Sequence, residues 1–184
     1  MSQVAGVNQG VTVIAHSMGS LVGLKLALEY PGLVSKLILM GPPPSPLPET
    51  GSQGSYARSA LVRRQGMLGV VDAIIQAGLS TYVQQTNPLA VAAVRISLLS
   101  QDAEGYAKAC AALAGSAGET LDIKSLRIPV SFVTGEDDEV SSPALCQKYS
   151  EATGGGHVEV LRNVGQWHLF EDVDQTVKAV LAQI

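Results

Sequence analysis

Residues 11–19 read Val-Thr-Val-Ile-Ala-His-Ser-Met-Gly, an apolar, strand-sized run that meets no turn residue before it enters a helical segment. A chain that passes from strand to helix in one step bends sharply, and the residue at the bend is strained, its side chain thrust above the sheet. Small neighbours permit such a bend, and Ala15 and Gly19 supply them around Ser17. The usual pattern at this kind of corner is Gly-x-Ser-x-Gly. Alanine in the first small position still lets strand and helix cross closely. Ser17 is therefore the expected nucleophile, the plainer role for a serine there being to cap the helix.

The flanking segments fix the fold class. Leu21–Leu28 is apolar almost all round, which predicts a helix buried between other elements, and Tyr30-Pro31-Gly32 stops it. Lys36–Met40 reads as a second buried strand, giving the strand, helix, strand order of a parallel sheet. Gly41 and the prolines at 42, 43, 44, 46 and 48 then break the pattern. From about Ser55 to Gly118 the periodicity is helical. Met67, Val70, Val71, Ile74 and Ile75 form one stripe, Asn87-Pro88 opens a helix carrying Leu89, Val91, Ala92, Ile96 and Leu99, and Glu104–Ala114 is a third helix. Strand character returns at Ile128–Val133, Ser141-Ser142-Pro143 opens another helix, and His157–Leu161 is a fourth strand. Asp172–Ile184 is predicted to be an amphipathic closing helix with Val173, Val177, Val180 and Leu181 inward. The expected architecture is α/β: a mostly parallel sheet with flanking helices, its core drawn from residues 1–42 and 121–184, with a helical cap inserted at 43–120.

Composition narrows the partners. A chain of 184 residues with 46% hydrophobic content can bury a real core. Its net charge is −4 and its twelve Lys and Arg are scattered, so no footprint for a phosphate backbone forms and nucleic acid is not expected. The apolar runs are strand-sized and the first ten residues are neither basic nor long and apolar, so no membrane span or leader is expected. Cys110 and Cys146 lack metal-ligand spacing, and two thiols fit a reducing cytoplasm. Gly154-Gly155-Gly156 precedes a strand and lacks the spacing of a phosphate or dinucleotide loop. Neither cofactor nor metal is expected.

A serine nucleophile needs a histidine base, and the base needs a carboxylate to fix its tautomer and stabilise the imidazolium. Strand-corner nucleophiles carry these in the chain order serine, acid, histidine. The run Thr134-Gly135-Glu136-Asp137-Asp138-Glu139 ends the third strand, and one of its carboxylates is expected to serve while the others are solvated. Three histidines follow or flank. His16 adjoins the corner and points to the site wall, and His157 starts a strand at the far end. His168 either flanks the site entrance beside Trp167 or acts as base on a re-aimed loop.

The whole layout resembles the α/β-hydrolase fold. Asp102–Tyr106, Cys110–Leu113 and Ile128-Pro129-Val130 are similar to the cap and return strand of 3-oxoadipate enol-lactonases and related esterases. The resemblance implies Ser17 as nucleophile, the Met18 backbone N–H as one half of an oxyanion hole, and Asp138, three residues after the glycine of a G-x-x-D turn, as the acid. In that family a glycine-histidine pair is followed five residues later by an acidic residue. Here Gly165-Gln166 and Glu171 stand at that spacing, which puts Gln166 in the histidine slot. An amide cannot cycle a proton near neutral pH, which leaves His168 as the candidate base. His16 and Trp167 would line the substrate. Arg58, Arg63, Arg64 and Arg95 fall in the cap, either solvated or facing a carboxylate substrate. The implied activity is hydrolysis of a small ester or lactone, and the alternative is an inactive relative that binds a small ligand or partner. Dehalogenase chemistry is disfavoured because it needs aspartate at position 17. The resemblance starts just before the nucleophile strand, so the chain is expected to be a fragment, an incomplete gene model or a shortened relative. Residues 11–15 would then form a sheet edge that invites pairing with another chain.

Overall fold

The computed structural model describes residues 10–184. Four strands, β1 (Val11–His16), β2 (Val34–Met40), β3 (Val130–Gly135) and β4 (Val158–Leu161), make one parallel sheet in the order β1-β2-β3-β4. Helix α1 (Met18–Glu29) joins β1 to β2. The interval between β2 and β3 holds α2 (Glu49–Gln65), α3 (Val71–Gly78), α4 (Thr81–Thr86), α5 (Pro88–Leu99) and α6 (Ala103–Gly115). Helix α7 (Pro143–Ala152) joins β3 to β4, and α8 (His168–Glu171) and α9 (Val173–Leu181) follow β4.

Both faces of the central strands are covered, which is why they read as continuous apolar runs. Leu37 and Leu39 of β2 face α1 and α7, packing with Leu24, Phe132, Cys146 and Tyr149. Ile38 and Met40 face the other way, against Val133, Leu161, Val164 and Ala179 of α9. Full burial of a side chain such as Leu37 or Ile38 contributes about 1.5–3 kcal/mol. Among the described residues no helix is long and apolar enough to cross a membrane.

Two expectations of burial are corrected. Helix α1 buries Leu21, Gly23, Leu24 and Ala27 but leaves Val22 exposed, so it lies on the sheet by one side rather than being enclosed. In α9 the residues turned to the sheet are Thr176 and Ala179, while Val173, Val177 and Leu181 are exposed. Of the expected stripe, Val180 packs against the core cluster and the other three residues face away from it. Thr176 turns inward because its hydroxyl donates to the carbonyls of His168 (3.0 Å) and Asp172 (2.6 Å).

The helices between β2 and β3 build their own apolar cluster from Val62, Met67, Val70, Val71, Ile74, Ile75, Val94 and their neighbours, the predicted stripe among them. Helix α2 begins six residues before the predicted helical region. Before Val62, its inward residues are Ser52, Ser55 and Ser59, which carry no hydrophobic periodicity. Ser52 and Ser59 donate to the carbonyls of Ala114 and Ala107 on α6, at 2.9 and 2.8 Å, so small side chains let the two helices pack closely. Arg63 forks onto Glu104 (2.8 and 3.0 Å) and Arg95 pairs with Asp72 (2.5 Å), exposed contacts that solvent screens and that contribute little to stability.

The C-terminal end of β3 is sterically closed. A Cβ at Gly135 would lie 2.1 Å from the Val164 carbonyl oxygen and 2.4 Å from that of Gly165. Because both atoms are backbone, no rotamer change relieves the clash. Gly135→Ala is expected to cost about 3 kcal/mol or more, read as a fall in thermal or urea midpoint.

Candidate functional site

The site lies where the strands end. Ser17 sits between the last residue of β1 and the first of α1 with φ 52° and ψ −127°. A side chain other than glycine is held in that region only when its surroundings determine it. The Ser17 N–H donates to the Met40 carbonyl at the end of β2 (2.8 Å), and the Ser17 carbonyl accepts from the Ser20 N–H (2.8 Å). Ser20 in turn donates its hydroxyl to the Ala15 carbonyl (3.0 Å). The close crossing of strand and helix falls at Gly23, where an added Cβ would be 3.5 Å from both Ala15 and Val13. The Ser17 side chain caps nothing in α1, so the plain capping role does not hold.

Of the four acids after β3, Glu136, Asp137 and Glu139 are exposed and Asp138 is buried. The Asp138 Oδ1 atom accepts from the N–H groups of Val140 (2.9 Å) and Ser141 (2.8 Å), which fixes the turn. Its Oδ2 atom has no hydrogen-bond partner among the described residues. Burial pushes the carboxyl up to about 6, against the opposing pull of those two N–H groups.

Facing Oδ2 is His168. Its Nε2 atom lies 3.7 Å away, both side chains are fully buried, and the residue as a whole is 1% exposed. His168 therefore lies inside the molecule rather than flanking an entrance. Burial, with a smaller contribution from nearby His16, pushes its imidazole down to about 3. At neutral pH the pair is a carboxylate beside a neutral ring. Closing the gap by about an ångström would make a charge-assisted hydrogen bond.

The other two predicted residues meet at the same place. Gln166 is buried and its side-chain N–H donates to the Gly41 carbonyl (3.2 Å). The His16 Nε2–H donates to the Gln166 backbone carbonyl (2.8 Å), and the His16 ring stands edge-on to His168 with centroids 5.3 Å apart. A Cβ at Gly41, which has φ +55°, would lie 2.7 Å from Gln166 Nε2 and 2.9 Å from His168 Cε1. Gly41 follows Met40, the residue that receives the Ser17 N–H. The corner, the acid and the His168 loop thus gather at the C-terminal ends of β1, β2 and β3. Trp167 packs against the cluster of α2–α6, and His157 pairs with Glu159 (3.1 Å) on the exposed surface at the start of β4.

Sequence reasoning placed Glu171 by spacing but not by task. Its buried carboxylate accepts from the N–H groups of Gly165 (2.9 Å), Trp167 (2.9 Å) and Ser80 (2.8 Å). It thereby ties the His168 loop to itself and to the start of α4. The Gln166 N–H adds a bond to the Gly78 carbonyl (2.7 Å). The signal available was the acid five residues after Gln166. Gly41 had no signal beyond its place at the end of a strand. A cleft of about 420 Å³ opens beside the acid turn, lined by Glu136, Asp137, Glu139 and Thr81. Among the described residues no group of three or more His, Cys, Asp or Glu could hold a metal ion.

A family model described as "Alpha/beta hydrolase family" matches residues 2–179. A 3-oxoadipate enol-lactonase 2 of Acinetobacter baylyi is 29% identical over 147 residues, 77% of this chain and 53% of that protein, so the chain spans about half the length of this curated relative. Among solved structures, a thermophilic esterase from Thermogutta terrifontis superposes with a TM-score of 0.88 at 20% identity, over 99% of this chain and 67% of that one. The enol-lactonase from Burkholderia xenovorans LB400 gives 0.81 at 20% identity, over 98% and 67%. At such identities these two structures establish the fold.

Proposed function

Because the chain belongs to the alpha/beta hydrolase family, we propose that it is a serine hydrolase acting on a small carboxylic ester or lactone. Ser17 is the nucleophile, presented on a nucleophile elbow. The Met18 backbone N–H holds the oxyanion, and Asp138 orients His168 as the base. The observation that carries this reading is the strained Ser17 backbone at the strand-to-helix corner, φ 52° and ψ −127°, in a residue other than glycine. The partnerless Asp138 Oδ2 facing His168 supports it.

In this mechanism the Ser17 hydroxyl attacks the carbonyl carbon as its proton passes to the His168 imidazole. The negative oxygen is held by the Met18 N–H, and Asp138 stabilises the imidazolium. Collapse transfers the proton to the departing alkoxide and leaves an acyl group on Ser17. Water then hydrolyses that acyl group by the same steps. In a lactone the leaving alkoxide remains tethered, so the product is one hydroxy acid, or the keto form when the ring is an enol lactone. The similarity to an enol-lactonase favours the lactone class. Residues 43–120 serve as a cap that shapes the acyl pocket, with His16 and Trp167 on its wall. Arg63 and Arg95 are engaged by Glu104 and Asp72, which leaves Arg58 and Arg64 as the cap arginines for an acidic substrate. The buried free thiols Cys110 and Cys146 suit a reducing cytoplasm.

Incubation with a fluorophosphonate probe at pH 7.5 is expected to label the protein on Ser17. Ser17→Ala should abolish the label while leaving the thermal midpoint within a few degrees. An unlabelled folded wild-type protein would refute the activated serine.

Gln166 favours a second reading. It fills the family histidine slot and its amide is bonded to Gly41, so the scaffold could hold a ligand without turning it over. Under that reading, the wild type binds a lactone without hydrolysing it, and Gln166→His alone creates the activity.

A further inference from the structure

No hydrogen bond holds the His168 ring. Both of its nitrogens are buried without a partner among the described residues, and the Asp138 Oδ2 atom opposite Nε2 stays 3.7 Å away. In a serine triad the hydrogen bond from the acid orients the imidazole. Here packing sets the plane of the ring, and two neighbours do the setting. One is Gly41, whose lack of a side chain leaves room for the ring, since a Cβ there would lie 2.9 Å from His168 Cε1. The other is His16, whose ring meets His168 edge-on with centroids 5.3 Å apart and planes at 86°.

The sheet delivers His16 to that position. It ends β1 in register with Met40, and strand alternation puts its side chain on the face of Ile38 and Met40, where Val164 also packs. His16 is exposed as a whole, yet its Nε2 end is turned onto the Gln166 carbonyl at 2.8 Å. A carbonyl only accepts, so His16 carries a proton on Nε2, and in the neutral ring Nδ1 is bare. Gln166 is thereby fixed from three directions: its N–H by the Gly78 carbonyl (2.7 Å), its side-chain amide by Gly41 (3.2 Å) and its C=O by His16. Among the described residues, the His16 bond is the one side-chain hydrogen bond that joins the nucleophile strand to the loop carrying the base.

We propose that His16 is a positioning residue for His168: its Nε2–H holds the 166–168 loop against the nucleophile corner, and its ring edge sets the plane of the base. This goes beyond a place on the pocket wall, and it rests on the hydrolase reading above. The effect falls on the chemical step, because misplacing a reacting group by about 1 Å can cost about 10²-fold in rate.

Glutamine and asparagine separate the bond from the wall. The amide nitrogen of glutamine stands three bonds from Cβ, as Nε2 of histidine does, whereas that of asparagine stands two bonds away, as Nδ1 does. H16N is expected to lower kcat for a small aryl ester about tenfold to a hundredfold with little change in KM, and H16Q to recover most of that loss. Amide exchange at Gln166 and Trp167 should quicken about tenfold in H16N and slow again in H16Q. In nitrogen spectra of histidine-labelled wild type at pH 7.5, His16 should show a protonated Nε2 beside a bare Nδ1. A bare Nε2 on His16 overturns the proposal. So does H16N that raises KM and spares kcat, which would leave His16 on the wall alone, or H16Q as slow as H16N, which would assign the effect to the ring rather than the bond. Fluorophosphonate labelling of the wild type tests the hydrolase reading by itself, so a labelled wild type whose H16N variant keeps full kcat overturns only the role of His16.

Discussion

His168→Asn is expected to lower kcat/KM for a small aryl ester or lactone by about 10⁴–10⁶, the scale seen when the imidazole of a serine triad is removed. At the upper end this corresponds to about 8 kcal/mol of transition-state stabilisation. The reason is local: His168 is the imidazole that faces the buried Asp138 carboxylate, and His16 already spends its Nε2 proton on the Gln166 carbonyl. The loss should fall on kcat, and fluorophosphonate labelling of Ser17 should slow in parallel. Adding Gln166→His to His168→Asn separates the two histidine positions. If the slot at 166 is sound, the double variant recovers part of the rate, because the ring enters where the Gln166 amide now meets Gly41. Wild-type turnover that survives His168→Asn would remove His168 from the chemistry.

The fold was legible because burial on both faces of a parallel sheet leaves a plain mark. Val34–Met40 and Val130–Gly135 are enclosed strands and read as such, and the Ser142 cap with Pro143 announces α7. What misled was amphipathicity read without knowing which face is covered. Of the predicted α9 residues only Val180 packs on the core; the sheet otherwise takes Thr176 and Ala179, the Thr176 hydroxyl being satisfied by carbonyls at the helix start. Helix α2 went unread over its first turns for the opposite reason. Its packing residues are serines whose hydroxyls bond to α6, so no apolar period exists to be found.

The site divides in the same way. Ser17 was legible because the corner is a local property of sequence; among the acids after β3 only the resemblance pointed to Asp138, and it is the one the structure buries. His168 was reached only as the histidine left once Gln166 filled the slot, because its place beside Asp138, 30 residues earlier, depends on a loop that Glu171 holds. Spacing alone places His168 two positions beyond the slot. Only the packing of that loop against Gly41 and His16 turns its ring toward the acid.

Asp138→Asn should lower kcat by about 10⁴ while raising stability, a combination that a structural carboxylate would not give. Asparagine retains an oxygen for the Val140 and Ser141 N–H groups but cannot stabilise an imidazolium. Burial raises the folded-state pKa of this carboxyl from 3.8 to about 6, so the folded protein binds the proton more tightly than the unfolded chain. Stability contributed by this group is therefore present below about pH 4 and falls as pH rises toward 6, reaching a cost of about 3 kcal/mol at neutrality. Asp138→Asn abolishes that cost, so its melting temperature at pH 7 should exceed that of the wild type, and the difference should vanish near pH 4. The activity of the wild type has the opposite slope, rising through pH 6 as the carboxylate forms, and the variant should show no such step. If Asp138→Asn instead melts lower at pH 7, the charged form is holding the turn together, and the carboxylate belongs to the scaffold rather than to the base.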